Sequence, residues 1–241
     1  MRRASIAVFL TLMLAVAGRA GAGGFAFDPH LSAGDFDDLA GVVADAVAFP
    51  LMSSAASSGV TGFEVLAAAG GPRVDRNASW WRYAVSGSTY GGIWPGARLI
   101  VRKGLPWRLD VGGQIGQIAG ARFLGGDARL ALLEGGALSP AAALRVSYTR
   151  LQNAPMALEA KEAQIVLSKG FPVLTPYAAV GVRRVDASVT FGQAPVIHYA
   201  SRQNTTTLAA GVRVHLVPFR FVGEVRKGAK MGGFVGVGVG L

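Results

Sequence analysis

The chain has 241 residues, a formal net charge of +10, 34 glycines and no cysteine, and 51% of its residues are hydrophobic against 16% charged. The missing cysteines exclude a disulfide-stapled scaffold, thiolate metal sites and cysteine nucleophiles. The charged fraction is well below the ~25% of soluble domains, yet the single long apolar run excludes a bundle of membrane-spanning helices.

The first 22 residues have the order of a secretory signal peptide. A basic start at 1–3 precedes an apolar run over 6–17 and a triplet of small residues at 20–22. The run is shorter than a membrane-spanning helix, and the triplet matches a cleavage site. We predict a signal peptide over 1–22, with a cut after Ala20 or an uncleaved anchor as alternatives. Cleavage after Ala22 removes three arginines from a net charge of +10, which leaves +7.

Residues 23–58 are predicted to form an N-terminal segment with a short amphipathic helix. Apolar side chains recur at helical spacing between Phe36 and Val47. Aspartates in the first turn, beginning at Asp35, complement the helix dipole, and Pro50 ends the run. The predicted helix over 35–49 has three possible positions: inside a barrel as a plug, at its inner membrane-facing rim, or in a periplasmic segment covering its lower end.

Residues 59–241 alternate between apolar and polar side chains with a period of two. In the clearest case, over 206–216, one face is aliphatic and the other carries Arg213 and His215. Ten such strands are predicted, over 60–70, 94–103, 106–117, 121–134, 140–150, 158–169, 173–186, 205–216, 218–227 and 231–241. A tilted strand of this length spans about 26 Å, close to the ~25 Å apolar band of outer-membrane barrels. The fold class is therefore all-β, a closed antiparallel up-and-down transmembrane β-barrel.

The connections between the strands alternate in length. One set is tight and rich in Gly or Pro, whereas the other includes two long polar connections, over 71–93 and 187–204. The first of these holds Trp80, Trp81 and Tyr83, for which an aromatic girdle or a packed loop is favoured over contact with a ligand. Ten strands place the tight turns and both chain termini on one side, the periplasmic side of an outer-membrane barrel.

The polar faces of these strands collect charged side chains. The candidate lumen network comprises Arg98, Arg102, Arg108, Asp110, Asp127, Arg129, Arg145, Glu162, Arg183, Arg213, Arg220, Glu224 and Arg226. A basic lumen would attract anions, because rings of arginine bias pores toward them. The alternative is a network of ion pairs that fills a narrow barrel, and ten strands lie near the filled end of the size range.

The sequence offers little for catalysis, metals or cofactors. The three histidines, His30, His198 and His215, have no metal-ligand spacing, and no Gly-x-Ser-x-Gly elbow occurs. We predict no cofactor, no metal and no catalytic residue; a hydrolase at the barrel rim, using His198, is the least favoured alternative. Nucleic-acid binding is not predicted, because the arginines alternate with apolar residues and form no surface patch.

An ordered set of short motifs resembles an uncharacterised family of predicted bacterial outer-membrane β-barrel proteins. The motifs are Phe36-Asp37-Asp38-Leu39, Gly62-Phe63-Glu64, Arg102-Lys103-Gly104-Leu105-Pro106, Asp110-Val111-Gly112, Ala131-Leu132-Leu133-Glu134-Gly135-Gly136, Arg145-Val146-Ser147-Tyr148-Thr149, Leu167-Ser168-Lys169-Gly170-Phe171 and Leu174-Thr175-Pro176-Tyr177-Ala178. The resemblance covers nearly the whole mature chain and implies a barrel fold and an outer-membrane location, with no activity to carry over. The chain departs from such barrels at Leu241, where they usually end in an aromatic residue.

The predicted function is that of a non-enzymatic outer-membrane β-barrel, either structural or a narrow anion-biased pore with an arginine-rich interior. The alternative is a carrier or binding barrel for a small apolar molecule, with the N-terminal helix as its gate. The expected partners are the lipid bilayer of the outer membrane, the outer-membrane assembly machinery and, for a pore or carrier, a small anionic or apolar solute.

Overall fold

The computed structural model describes residues 24–86, 92–136, 139–192 and 196–240. The predicted signal peptide over 1–22 therefore lies outside the described residues. The elements are β1 (Gly24–Phe25), α1 (Ala33–Val47), β2 (Phe63–Val74), α2 (Ser79–Ala84), β3 (Val85–Ser86), β4 (Gly92–Ile93), β5 (Gly96–Gly104), β6 (Leu109–Ile118), β7 (Ala121–Leu133), β8 (Ala141–Gln152), β9 (Met156–Ser168), β10 (Leu174–Phe191), β11 (Ile197–Leu216), β12 (Phe219–Lys227) and β13 (Met231–Gly240).

Ten of these strands close into an antiparallel barrel. Each of the strands β5 to β12 pairs with the next one in sequence, β2 pairs with β5, and β13 returns to pair with β2. The closing pairs run from Gly232 opposite Pro72 to Gly240 opposite Glu64. The short strand β4 only extends the end of β2, and β1 pairs with β3. The predicted fold class and the count of ten barrel strands are confirmed.

Side chains of the wall alternate between the outside and the lumen, as the sequence pattern requires. In β8, Leu144 and Val146 are 46% and 56% exposed on the outside, while Arg145 between them is 1% exposed. The same contrast holds in β10, where Val182 is 63% exposed and Arg183 is 3% exposed. The barrel is thus apolar outside and charged inside.

One connection differs from the prediction. The stretch 187–204 is not a long loop, because β10 continues to Phe191 and β11 begins at Ile197. The two strands stay in register there, with Val185 opposite Gln203 and Val189 opposite Tyr199. The outer face of this hairpin is polar and its inner face is apolar, with Val185 and Val189 buried, so the alternation is reversed while the backbone pairing continues. The pattern of side chains therefore underestimated the length of the strands.

The helix α1 lies inside the barrel, at the end that carries the longer loops. It begins after Ser32, whose hydroxyl accepts a hydrogen bond from the backbone N–H of Asp35 while that carboxylate accepts from the N–H of Ser32. This capping box explains why the helix starts two residues before the prediction. The helix ends at Val47 because Ala48 leaves helical backbone, with a ψ of 143°. Every residue from Phe36 to Val47 on the apolar face is buried, which identifies α1 as an internal element of the barrel.

The tryptophans of the connection over 71–93 pack against this helix instead of facing outward. Trp80 and Trp81 are 3% and 4% exposed and belong to the same apolar cluster as Phe36. The ring of Trp81 meets that of Trp94 edge to face, with centroids 5.2 Å apart. Of the two predicted roles, the structure shows the packed loop.

After α1 the chain runs through the lumen to the opposite end. The N–H of Ala55 donates to the hydroxyl of Ser168 at the end of β9, at 2.8 Å, and the N–H of Ser58 donates to Asp110 at 3.0 Å. The start of β2 and Gly240 lie at this tight-turn end, whereas Gly24 lies at the other. The prediction that both termini share one side is therefore wrong, because residues 24–62 cross the lumen before the wall begins.

The close packing of the wall predicts unequal effects of two glycine substitutions. A Cβ at Gly238 of β13 would overlap the carbonyl oxygen of Val65 and lie 2.9 Å from Cα of Leu66, whereas one at Gly223 of β12 meets no described atom within 4 Å. We expect Gly238→Ala to lower the free energy of unfolding by about 1–3 kcal/mol through overpacking. Gly223→Ala is the matched control. Urea titration with gel mobility as the readout checks this, and equal losses in both variants would contradict it.

Candidate functional site

The lumen of the barrel is occupied by residues 33–58, which we call the plug segment. It consists of α1 and the extended stretch that follows. Arg98 of β5 donates to the carbonyl oxygens of Ala46 and Ala48, at 2.5 and 2.7 Å. The last carbonyls of a helix lack partners within the helix and carry its negative dipole end. The wall thus supplies a cation where α1 needs one.

Further guanidinium groups hold the extended part of the plug segment. Arg145 and Arg226 both donate to the carbonyl oxygen of Phe49, at 3.1 and 3.0 Å. Arg102 donates to the carbonyl of Leu51 at 2.7 Å. These bonds come from strands on different sides of the barrel, so the backbone of the segment is clamped across the lumen.

Aromatic rings separate the guanidinium groups from one another. The ring of Phe49 lies 5.4 Å from the guanidinium carbon of Arg102 and 5.2 Å from that of Arg145. Arg98 lies between the rings of Phe123 and Phe234, at 5.0 and 4.9 Å. Cation–π contacts of this kind reduce the cost of burying several like charges together. Phe234 lies on the glycine face of the last strand, where it serves this purpose.

Glu162 of β9 is the centre of the largest cluster of charges. Its carboxylate accepts two hydrogen bonds of 3.0 Å from Arg226 and one of 2.6 Å from the hydroxyl of Thr207. Arg183 lies at 3.4 Å and bonds Asp45 of the plug segment at 2.6 Å. The cluster therefore links four wall strands, β9 to β12, to α1.

A second set of carboxylates receives the backbone of the plug segment nearer the tight-turn end. Glu224 accepts the N–H of Met52 at 2.6 Å, the N–H of Leu51 at 3.2 Å and the hydroxyl of Tyr177 at 2.9 Å. Arg129 donates to the side chain of Ser53. The wall thus supplies acceptors for N–H groups of the segment and donors for its carbonyl oxygens.

The structure places twelve of the thirteen residues of the candidate network on the lumen side of the wall. Ten are buried, the side chain of Asp127 is 6% exposed and that of Arg220 is 20% exposed. Arg108 lies elsewhere: it occupies a tight turn, its side chain is 59% exposed, and its nearest carboxylate is that of Glu134, at 3.7 Å. Its place in the network was a wrong expectation, because a positive φ of 60° turns the chain out of the strand before β6 begins.

Sequence reasoning missed two buried carboxylates. Glu64 of β2 pairs with Arg213 and lies 3.4 Å from Arg220. Its position in a strand, opposite Arg102 in the neighbouring strand, is a signal that could have found it. Asp45 lies on α1, where the alternation of strands says nothing about which wall residue it meets.

The charges of the lumen nearly cancel. Among the described residues, the buried arginines number seven: Arg98, Arg102, Arg129, Arg145, Arg183, Arg213 and Arg226. They face six buried carboxylates: Asp45, Glu64, Asp110, Asp127, Glu162 and Glu224. One positive charge remains in excess, and the backbone carbonyls of the plug segment are the additional acceptors.

His30 and His198 lie apart from this network of ion pairs, whereas His215 lies directly opposite Arg220 in the pairing of β11 with β12. His30 contacts Asp28 at 2.6 Å in the exposed N-terminal turn, and His198 contacts the hydroxyl of Thr190 at 2.9 Å on the long hairpin. In the part of the chain that the structure describes, acidic and histidine side chains nowhere form a group of three that could hold a metal ion.

The mouth of the lumen at the long-loop end carries one acid with a perturbed pKa. The hydroxyls of Ser79 and Ser32 donate to Asp35, and these hydrogen bonds lower the pKa of its carboxyl below the ordinary value of 3.8. The charged carboxylate is therefore favoured in the folded state, where it joins the start of α1 to the start of α2.

The geometry defines a closed ten-stranded β-barrel with an internal plug. No known family model matches the chain, and no curated protein sequence matches it. Neither helix among the described residues has the length and apolarity that crossing a membrane requires of a helix.

Several solved structures are similar to this chain. One is the N-terminal β-barrel domain of Pseudomonas aeruginosa OprF, with a TM-score of 0.37 and 13% identity over 76% of this chain and 99% of that chain. Another is Ail, the attachment invasion locus protein of Yersinia pestis, in complex with the heparin analogue sucrose octasulfate, with a TM-score of 0.36 and 12% identity over 75% and 98%. The third is the KdgM porin, with a TM-score of 0.37 and 6% identity over 74% and 98%. Similarity at this level assigns no function, and the barrel rests on its own strand pairing.

Two glutamates of β9 provide a test of the buried cluster. Glu162→Gln removes the charge that pairs with Arg226 and Arg183, and we expect a loss of about 3–5 kcal/mol in the free energy of unfolding. Glu159→Gln is the matched control, because its carboxylate is 39% exposed and pairs with Lys161 at 3.6 Å, so a change of about 0–1 kcal/mol is expected. Urea titration in detergent micelles compares the two; a Glu162→Gln loss no larger than the control would refute the role of this cluster.

Proposed function

We propose that this chain is a non-enzymatic outer-membrane β-barrel whose lumen is closed by its own plug segment. The observation that carries the proposal is the set of arginine bonds to the carbonyl oxygens of residues 46–51, which fix the segment across the barrel. Export would follow the predicted signal peptide, and the outer-membrane assembly machinery would insert the barrel.

The outer surface supports the membrane location. The wall exposes aliphatic and aromatic side chains that a protein in water would bury, among them Ile165 (53% exposed), Leu208 (48%) and Phe221 (44%). In a closed barrel every wall strand has a hydrogen-bonded neighbour on both sides. This meets the requirement that backbone N–H and C=O groups in lipid be paired within the protein. An apolar exterior of this kind matches the lipid-facing band of membrane barrels.

The second candidate function is an anion-biased pore that opens when the plug segment leaves the lumen. The arginine bonds to the carbonyl oxygens of this segment favour it. Arg98, Arg102, Arg145 and Arg226 donate to the segment, so its departure would leave their guanidinium groups facing the lumen. A ring of arginines attracts anions. A carrier for an apolar molecule is less favoured, because a ligand that replaced the segment would meet guanidinium groups and carboxylates.

Conductance separates a closed barrel from a pore. In planar bilayers we expect the full chain to show no steady current, because the clamped segment blocks the lumen. Deletion of 24–58 should give a steady current that favours anions in a salt gradient. Deletion of 24–30 is the matched control, since it leaves α1 and its contacts in place and should stay closed.

A point variant distinguishes opening of the lumen from a folding defect caused by the deletion of 24–58. Phe49→Ala removes the ring between Arg102 and Arg145, and we expect more frequent brief openings than in the full chain. Steady current through the unmodified barrel, or silence in both variants after gel mobility has shown them folded, would contradict closure by the plug segment.

The path of the plug segment also predicts the side on which the N-terminal residues lie. An epitope inserted after Pro29, in the exposed turn before α1, should be labelled by antibody in intact cells, because this turn lies at the long-loop end. The same epitope between Pro106 and Trp107, in a tight turn, should be labelled only after the outer membrane is opened. Labelling of the second site alone in intact cells would reverse the orientation.

A further inference from the structure

A band of basic side chains lies on the outside of the barrel, near the edge that carries the longer loops. Its members, which we call the basic belt, are Arg122 on β7, Arg150 on β8, Lys161 on β9, Arg184 on β10 and Lys227 on β12. All five are exposed and alternate with buried residues, so they point away from the lumen. We infer that the basic belt binds lipid headgroups with a phosphate and a net negative charge in the leaflet at this edge, an inference that rests on the proposed membrane-spanning function.

The strand register places the belt residues at similar heights. Arg122 and Arg150 are offset by two residues in their pairing, as are Arg150 and Lys161, while Lys161 lies directly opposite Arg184. Barrel strands tilt by about 35–45°, so residues at one height must drift in register from strand to strand. From β7 to β10 the belt residues shift along the pairing toward the middle of the wall, which is the shift that a level ring requires. Lys227, the last residue of β12, continues this shift.

Apolar side chains continue directly below the belt. Two residues along the same outer faces, toward the middle of the wall, lie Leu124 (44% exposed), Val182 (63%) and Val225 (54%). Same-face neighbours in a strand are about 7 Å apart. An acyl chain lying against these aliphatic columns would bring its headgroup to the basic belt. A soluble polyanion would use the charges and leave the columns uncovered, so the arrangement favours a lipid.

The belt keeps most of its positive charge. Arg122, Arg150 and Lys227 form no ion pair with any residue in the described ranges. The other two members lie 3.6 and 3.2 Å from the carboxylates of Glu159 and Asp186. Five cations therefore face two acids, and their N–H groups can donate to phosphate oxygens.

The opposite edge of the barrel exposes large apolar side chains. Trp107 is 87% exposed, Phe171 53% and Val217 96%, and all three lie in or beside the tight turns. Because the basic band occurs at one edge, the two leaflets would meet different surfaces.

The basic residues near those tight turns are already engaged by the chain itself. Lys103 donates to the carbonyl of Val60 at 2.5 Å, and Lys169 donates to the carbonyl of Gly136 at 3.0 Å. Arg108 lies 3.7 Å from Glu134. These three residues therefore supply a control set with the same number of charges as the three unpaired belt residues.

Retention of lipid by the folded barrel tests the inference. The full chain is reconstituted in vesicles of phosphatidylcholine with a minor share of phosphatidylglycerol, extracted into neutral detergent, and its retained lipids are counted. We expect phosphatidylglycerol enriched over the input ratio on the order of fivefold, the factor that ~1 kcal/mol per basic residue allows. The enrichment should shrink at high salt. The triple variant Arg122→Gln, Arg150→Gln, Lys227→Gln should fall to the input ratio, while Lys103→Gln, Arg108→Gln, Lys169→Gln should keep the enrichment.

The remaining outcomes overturn the inference. Equal loss in both triple variants would show a general charge effect, and no enrichment in an inserted barrel would reject the belt while the membrane location stands. Heparin binding in detergent that depends on the three belt residues, without lipid enrichment, would assign the belt to a soluble polyanion. Failure of the full chain to insert in these vesicles, judged by gel mobility, would reject the membrane function together with the belt.

Discussion

The structure depends on the need of buried guanidinium groups for acceptors. Seven arginines are enclosed by the barrel, and a buried charge without a partner costs several kcal/mol. Six buried carboxylates supply most of these acceptors, and the carbonyl oxygens of the plug segment supply others. Arg98 bonds the end of α1, and Arg145 and Arg226 bond the carbonyl of Phe49. Wall and plug are therefore complementary, and neither satisfies its polar groups without the other.

This complementarity has a consequence for function. A lumen that carried only arginines would be a basic channel, but the excess is one charge once the buried carboxylates are included. The same side chains that would select anions in an open barrel hold it closed in this state. The polar interior and the apolar exterior thus have separate roles: the first fixes the plug segment, and the second is the surface that we propose faces the membrane.

Much of the wall could be predicted from the sequence, since the alternation of side chains is a local property of a strand. Leu144 and Val146 face outward and Arg145 inward because successive residues of a strand must point to opposite sides. The limits were local as well. The strands around Phe191 and Ile197 were predicted too short where the outer face of the hairpin becomes polar and its inner face apolar. Arg108 was placed in a strand although its backbone turns away.

The sequence by itself determined a barrel of ten strands, with its outside, its inside and its tight turns, because these follow from periodicity and turn residues. Only the tertiary structure decided that residues 33–58 lie in the lumen, that Asp45 meets Arg183 and that Gly24 lies at the end opposite Gly240. The physical reason is that periodicity specifies which face of an element is polar. Periodicity does not specify which distant residues that face will contact. Here, closure of the barrel brought residues more than a hundred positions apart within hydrogen-bond distance.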